Sequence, residues 1–248
     1  MANPSLTPSP TAPTFTFTRR VGDANTRAEV AEFLAACFDA SGIDFSGSTY
    51  TVRLTRENAS AQGWFRALLV NDGNNGRETA RRGGEIAINL TSEWGWRINA
   101  AHETIHALQY AVGALHGRVS PIMGTTSTFN QGAAFLLSQV LRDGVEVDED
   151  AWTEADRHGE TVAIRRGGNF HHYVANHHER QAFRVTPALL RRVNAPRSDV
   201  LAAGCLARAT IASVRHRHGA LSEQGATAAF RLFTREAQEV QRSADRAA

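Results

Sequence analysis

His102-Glu103-Thr104-Ile105-His106 lies inside an unbroken helical stripe, and no other feature limits the fold and chemistry of this chain as much. Ile98, Ala101, Ile105, Leu108, Val112 and Leu115 recur at spacings of three and four, which predicts a helix over about Ile98 to Leu115 with one core-facing side. His102 and His106 fall one turn apart on the flank of that stripe, so both imidazoles can reach one metal ion. Glu103 directly follows the first histidine and can face water at such an ion, where a carboxylate acts as general base. The helix buries one side and presents both histidines to a cleft.

The elements upstream read as a small sheet. Thr26 to about Ala40 predicts a first helix, with Thr26 and Glu29 as a capping box, Val30, Phe33, Leu34 and Cys37 as its apolar stripe, and Gly42 after its end. Thr49 to Arg56 alternates Tyr50, Val52 and Leu54 against Thr and Arg, the pattern of a half-buried strand. Trp64 to Val70 is a second apolar run, and Glu85 to Leu90 alternates again through Ile86 and Ile88. Asn71 to Gly84 between them reads as a polar loop. Gly84 to Leu90 reads either as an edge strand that takes an extended substrate by strand addition or as an ordinary sheet strand. Downstream, helices are expected over about Gln131 to Arg142, His172 to Arg184, Pro187 to Val193, Ser198 to Arg217 and Ala226 to Arg242, with Val145 to Asp156 acidic and exposed. The expected class is α+β: a small N-terminal sheet with an edge strand, the motif helix, then a mainly helical C-terminal half.

Met1 to Thr14 holds four of the seven prolines among Thr, Ser and Ala, and it lacks the basic start and apolar centre of a secretory signal. It reads as a disordered leader, followed by a single domain over 15–248, of which 15–118 form the sheet and motif helix and 119–248 the helical part. The cytoplasm is the default location, with leaderless secretion or origin in a larger precursor left open. A formal charge of +2 in 248 residues argues against nucleic acid or an anionic membrane as main partner, and no apolar run is long enough to span a bilayer. Oligomeric state is not legible. Cys37 and Cys205 stand far apart and outside any CxxC, so they read as small buried hydrophobes. All 27 basic residues are arginine. That excludes lysine nucleophiles and Schiff-base chemistry, and it has two readings: arginine-rich codon usage, or a protein that works inside eukaryotic cells without ubiquitin acceptors.

A catalytic zinc site takes three protein ligands and an open position. Gln109 and Val112 stand where a metzincin would carry its glycine and third histidine. His116 lies ten residues past His106, about 15 Å along one helix, and cannot share the ion. The best candidate region is His171 to Phe183, where a helix would put Glu179 on one face with His172, Ala175 and Ala182, small residues that allow close packing on the motif helix.

Here the chain resembles the HExxH zincin-like metallopeptidases of the gluzincin type, on His102-Glu103-Thr104-Ile105-His106-Ala107-Leu108-Gln109-Tyr110 and on Asn176-His177-His178-Glu179-Arg180-Gln181-Ala182-Phe183, which looks like the Glu-x-x-Ala-Phe helix of small bacterial and phage zincins. The resemblance spans about Glu85 to Phe183. It implies Zn2+ held by His102, His106 and Glu179, with Glu103 as base. It departs from the thermolysin pattern, since no Asn-Glu-x-x-x-Asp follows the motif, and His172, His177 and His178 remain rivals for the third position. Tyr173 has two readings, hydroxyl donor to a developing oxyanion or core residue. His171, His216 and His218 are weaker choices for that donor. Gln109 reads as a partner that orients an imidazole, and Trp64, Trp94 and Trp96 as packing or cleft wall.

The expected function is hydrolysis of a peptide or protein substrate by a zinc metallopeptidase. Two alternatives stand beside it: a protease-type toxin or effector with one protein target, and a non-catalytic interaction or structural protein on the zincin fold.

Overall fold

A computed structural model of the chain describes residues 11–18, 21–56, 63–71, 78–115, 177–217 and 219–247. Their order is β1 (Thr14–Phe17), α1 (Ala24–Asp39), β2 (Thr49–Thr55), β3 (Gly63–Asn71), β4 (Glu78–Asn89), α2 (Trp96–Leu115), α3 (His177–Arg192), α4 (Arg197–Arg217) and α5 (Glu223–Asp245). The architecture is α+β and mostly helical. The helices expected over 131–142, the acidic stretch 145–156 and the residues His171 to Asn176 lie outside the described residues.

The strands form one sheet in the order β1-β2-β4-β3. β1, β2 and β4 run parallel, in register Thr14↔Thr49 and Thr49↔Gly83, and β3 runs antiparallel to β4 from Gly63↔Ile88 to Asn71↔Glu78. Alternation decides the faces of β2: Tyr50, Val52 and Leu54 are buried while Thr51, Arg53 and Thr55 are only partly covered. Gly83 lets β4 come close to β2, because a Cβ there would lie 2.7 Å from the Thr49 carbonyl oxygen.

Three expectations about the sheet need correction. Thr14, expected in the leader, opens β1: its N–H donates to the Ser48 carbonyl at 2.9 Å, the Thr11 carbonyl accepts from Phe45 N at 2.8 Å, and Phe15 packs on Phe38 at 5.9 Å between ring centroids. The stretch expected as a loop to Gly84 is strand from Glu78 onward. Its polar residues carry no apolar alternation, and backbone pairing with β3 determines its state. Gly84 to Leu90 is no edge either, since β4 is paired on both sides. The outer strand beside it is β3, and Leu90 lies beyond the strand end.

Asp23, not Thr26, caps α1, with Oδ1 accepting from Thr26 N at 2.7 Å. Glu29, expected to close the capping box, pairs instead with Arg97 of α2. Val30, Leu34 and Cys37 are buried as the stripe requires, and Phe33 meets Trp96 edge-on at 5.4 Å. Cys37 and Cys205 are both buried free thiols.

One buried cluster runs from Val30 and Phe38 of α1 through Val52 and Ile86 of the sheet to Ile98, Ala101, Ile105 and Leu108 of α2. It continues into Ala182, Val185 and Leu189 of α3, Ala202 and Leu206 of α4 and Ala237 of α5. α2 packs on β4, β3, α1 and α3, and α4 bridges α3 and α5. The helix break expected before Pro187 does not occur: α3 runs through it. A proline costs one backbone hydrogen bond there, and burial of Val185, Leu189 and Leu190 on either side outweighs the loss. No helix among the described residues is long and apolar enough to cross a membrane.

Candidate metal centre

The histidines owe their placement to how α2 is launched and anchored. Asn89 ends β4 and turns the chain, its Oδ1 accepting from both the backbone N–H and the hydroxyl of Thr91 at 3.0 Å. Gly95 adopts φ +92°, a conformation that favours glycine, and Trp96 then opens the helix. Ile98, Ala101, Ile105 and Leu108 are all at most 3% exposed, so they fix the roll of the helix about its axis. The side chains of Gln109, Val112 and Leu115 lie outside the described residues.

Glu179 comes from the first turn of α3 and meets both histidines. Its Oε2 lies 3.1 Å from His102 Nε2 and 3.6 Å from His106 Nε2, and the two Nε2 atoms are 3.2 Å apart. Zinc–ligand bonds of about 2.0–2.1 Å in tetrahedral array put neighbouring ligand atoms about 3.3 Å apart. The observed triangle brackets that spacing. The imidazole planes cross at 83°, so the two rings meet edge-on and do not stack. His102, His106 and Glu179 thus form a group able to hold a metal ion, with side chains 12–14% exposed. The donor set of two imidazoles and one carboxylate suits zinc, though such ligands also accept other divalent ions.

Burial alone would raise the Glu179 pKa, but the charge of His106 and hydrogen bonds with His102 and His106 outweigh it and hold the carboxylate well below its usual range. Glu179 is therefore ionised, as a ligand must be. Glu103, 6% exposed, behaves oppositely: burial pushes its pKa up and the Glu179 charge adds to this, while His102 and His106 oppose it. Two carboxylates in one site are thus driven apart in acidity.

Phe183, one turn beyond Glu179, lies against the His102 ring at 4.5 Å between centroids and meets Trp94 at 6.5 Å. No motif in the sequence places Phe183 beside His102. Its i+4 spacing from Glu179 is the signal that carries it. Trp94, expected as packing or cleft wall, is packed against the core. His216, weighed as an oxyanion donor, is engaged at the α4–α5 turn through Nδ1 and the Leu221 carbonyl at 3.1 Å. Tyr173, His171, His172, His116 and His218 lie outside the described residues, as do the side chains of His177 and His178. No family model, curated protein or solved structure matches the chain.

Close approach of α3 to α2 depends on Ala182, fully buried one turn after Glu179. Ala182→Leu is expected to cost about 1–3 kcal/mol by overpacking and to weaken zinc binding by moving Glu179 off the triangle. Urea melts and a zinc-indicator competition check both effects. Unchanged zinc affinity in a destabilised variant would show that helix spacing does not set the site.

Proposed function

We propose that this chain is a zinc-dependent metallopeptidase of the zincin-like type, with His102, His106 and Glu179 as ligands and Glu103 as general base. The observation that carries this reading is the triangle of His102 Nε2, His106 Nε2 and Glu179 Oε2, with sides of 3.1, 3.2 and 3.6 Å, beside a buried Glu103. When bound, zinc supplies Lewis acidity that activates water and polarises a scissile carbonyl. The two histidines hold it as neutral rings through Nε2, which leaves each ring proton on Nδ1. Glu179 provides the ionised oxygen. Glu103 accepts the proton of the attacking water and returns it to the leaving amine. Burial raises its pKa, which makes it a stronger base than an exposed carboxylate. Phe183 covers one side of His102 and excludes water from that side. The outer strand β3 pairs only with β4 among the described residues, and it is where an extended peptide would add.

The test is metal content and hydrolysis measured on one purified sample of the full chain. The expected result is near one zinc per chain, cleavage of a mixed peptide library, loss of cleavage on chelation and its return with added zinc. A chain that takes up no zinc on reconstitution would sink the proposal. Zinc uptake without library cleavage, but with clean cutting of one protein in a lysate, would make this a single-target peptidase. Zinc uptake with neither activity would leave an interaction protein on the same metal site.

A further inference from the structure

We propose that the cavity between the turn before α2, the first turn of α4 and the end of α5 binds a small organic cation carrying N–H donors. The cavity has a volume of about 410 Å3 and contains none of the metal-centre residues. That volume lies within the roughly 300–1,000 Å3 of small-molecule sites.

Asp199 carries the argument. The residue is 4% exposed and lines the cavity. Its Oδ1 accepts from Gln241 Nε2 at 2.7 Å, whereas Oδ2 is buried with no hydrogen bond. The nearest cation, Arg97, stands 3.9 Å from Oδ2, too far to donate. Arg97 is held back by two other partners: it pairs with Glu29, and its guanidinium lies 4.6 Å from the centroid of the Trp96 ring. The other guanidinium of the wall, Arg242, donates Nε to the Gln238 carbonyl at 3.3 Å.

A buried carboxylate oxygen without a donor is costly, and an ionised N–H satisfies it best. The three carboxylates of the wall, Asp199, Glu93 and Asp245, outnumber its two guanidiniums, Arg97 and Arg242, so a cation is favoured over an anion or a neutral amide. Consistent with an unmet charge, burial raises the Asp199 pKa against the opposing effects of Gln241 and Arg97, and Asp245 raises it further. Trp96 supplies the apolar wall for the stem of the ligand.

The probes are butylguanidinium and its neutral counterpart butylurea, titrated into the full chain while the Trp96 indole N–H is followed by NMR and assigned with Trp96→Phe. A saturable shift with butylguanidinium and none with butylurea is expected. Asp199→Asn keeps the acceptor for Gln241 and is expected to weaken binding by about tenfold or more. Asp245→Asn, at an exposed position near the helix end, is expected to weaken it about two- to threefold and serves if the first variant does not fold. Equal response to both probes, no saturable response, or binding indifferent to the substitutions would overturn the proposal and leave a water-filled polar cavity. Zinc content plays no part in the readout, so failure here and failure of the peptidase reading are separable.

Discussion

A Glu103→Gln protein is expected to bind zinc like the wild type and to hydrolyse peptides about 10²–10⁴-fold more slowly, the usual contribution of a positioned general base. Glutamine keeps the volume and most of the polarity of a side chain that is 6% exposed, so the substitution removes proton-accepting capacity and little else. It also removes a buried carboxyl whose charge is disfavoured by burial and by Glu179, so the fold should not suffer. Zinc analysis and initial rates on one peptide, measured side by side, check both halves. Wild-type rates from a zinc-loaded Glu103→Gln protein would remove Glu103 from the chemistry.

Glu179→Gln is expected to lower zinc affinity by more than about 100-fold, beyond the 10–100-fold that follows loss of an outer partner. The neutral amide keeps the shape and loses the charge that His106 and His102 hold ionised in the folded chain. Competition with a zinc indicator gives the affinity, and far-ultraviolet circular dichroism shows whether α3 persists. Undiminished affinity would hand the third position to one of His172, His177 and His178. That outcome would revise the ligand set without touching the spacing of His102 and His106.

What could be read in advance follows the range of the interactions involved. The buried half of β2 was legible from Tyr50, Val52 and Leu54, because a strand alternates whatever lies around it. The roll of α2 was legible from Ile98, Ala101, Ile105 and Leu108 for the corresponding reason in a helix. β1 is hard to read for its length: Thr14 to Phe17 alternates Phe with Thr, but four residues beside a Pro-rich stretch are too few to stand out, and pairing with β2 fixes them as a strand. The first half of β4 failed similarly, since Glu78 to Gly83 lacks apolar alternation and its partners were unknown. Thr26 and Glu29 match a capping box, yet Glu29 pairs with Arg97, 68 residues away, and Asp23 takes the cap.

The sequence by itself determined that His102 and His106 share one face of a helix beside Glu103, because 3.6 residues per turn is a local rule that needs no partner. Only the tertiary structure decided that Glu179, 77 residues beyond His102, comes within 3.1 Å of it. That meeting depends on α3 docking on α2, with Ala182, Val185 and Leu189 in the shared core, a contact between segments whose separate patterns say that each has an apolar face but not which face it meets.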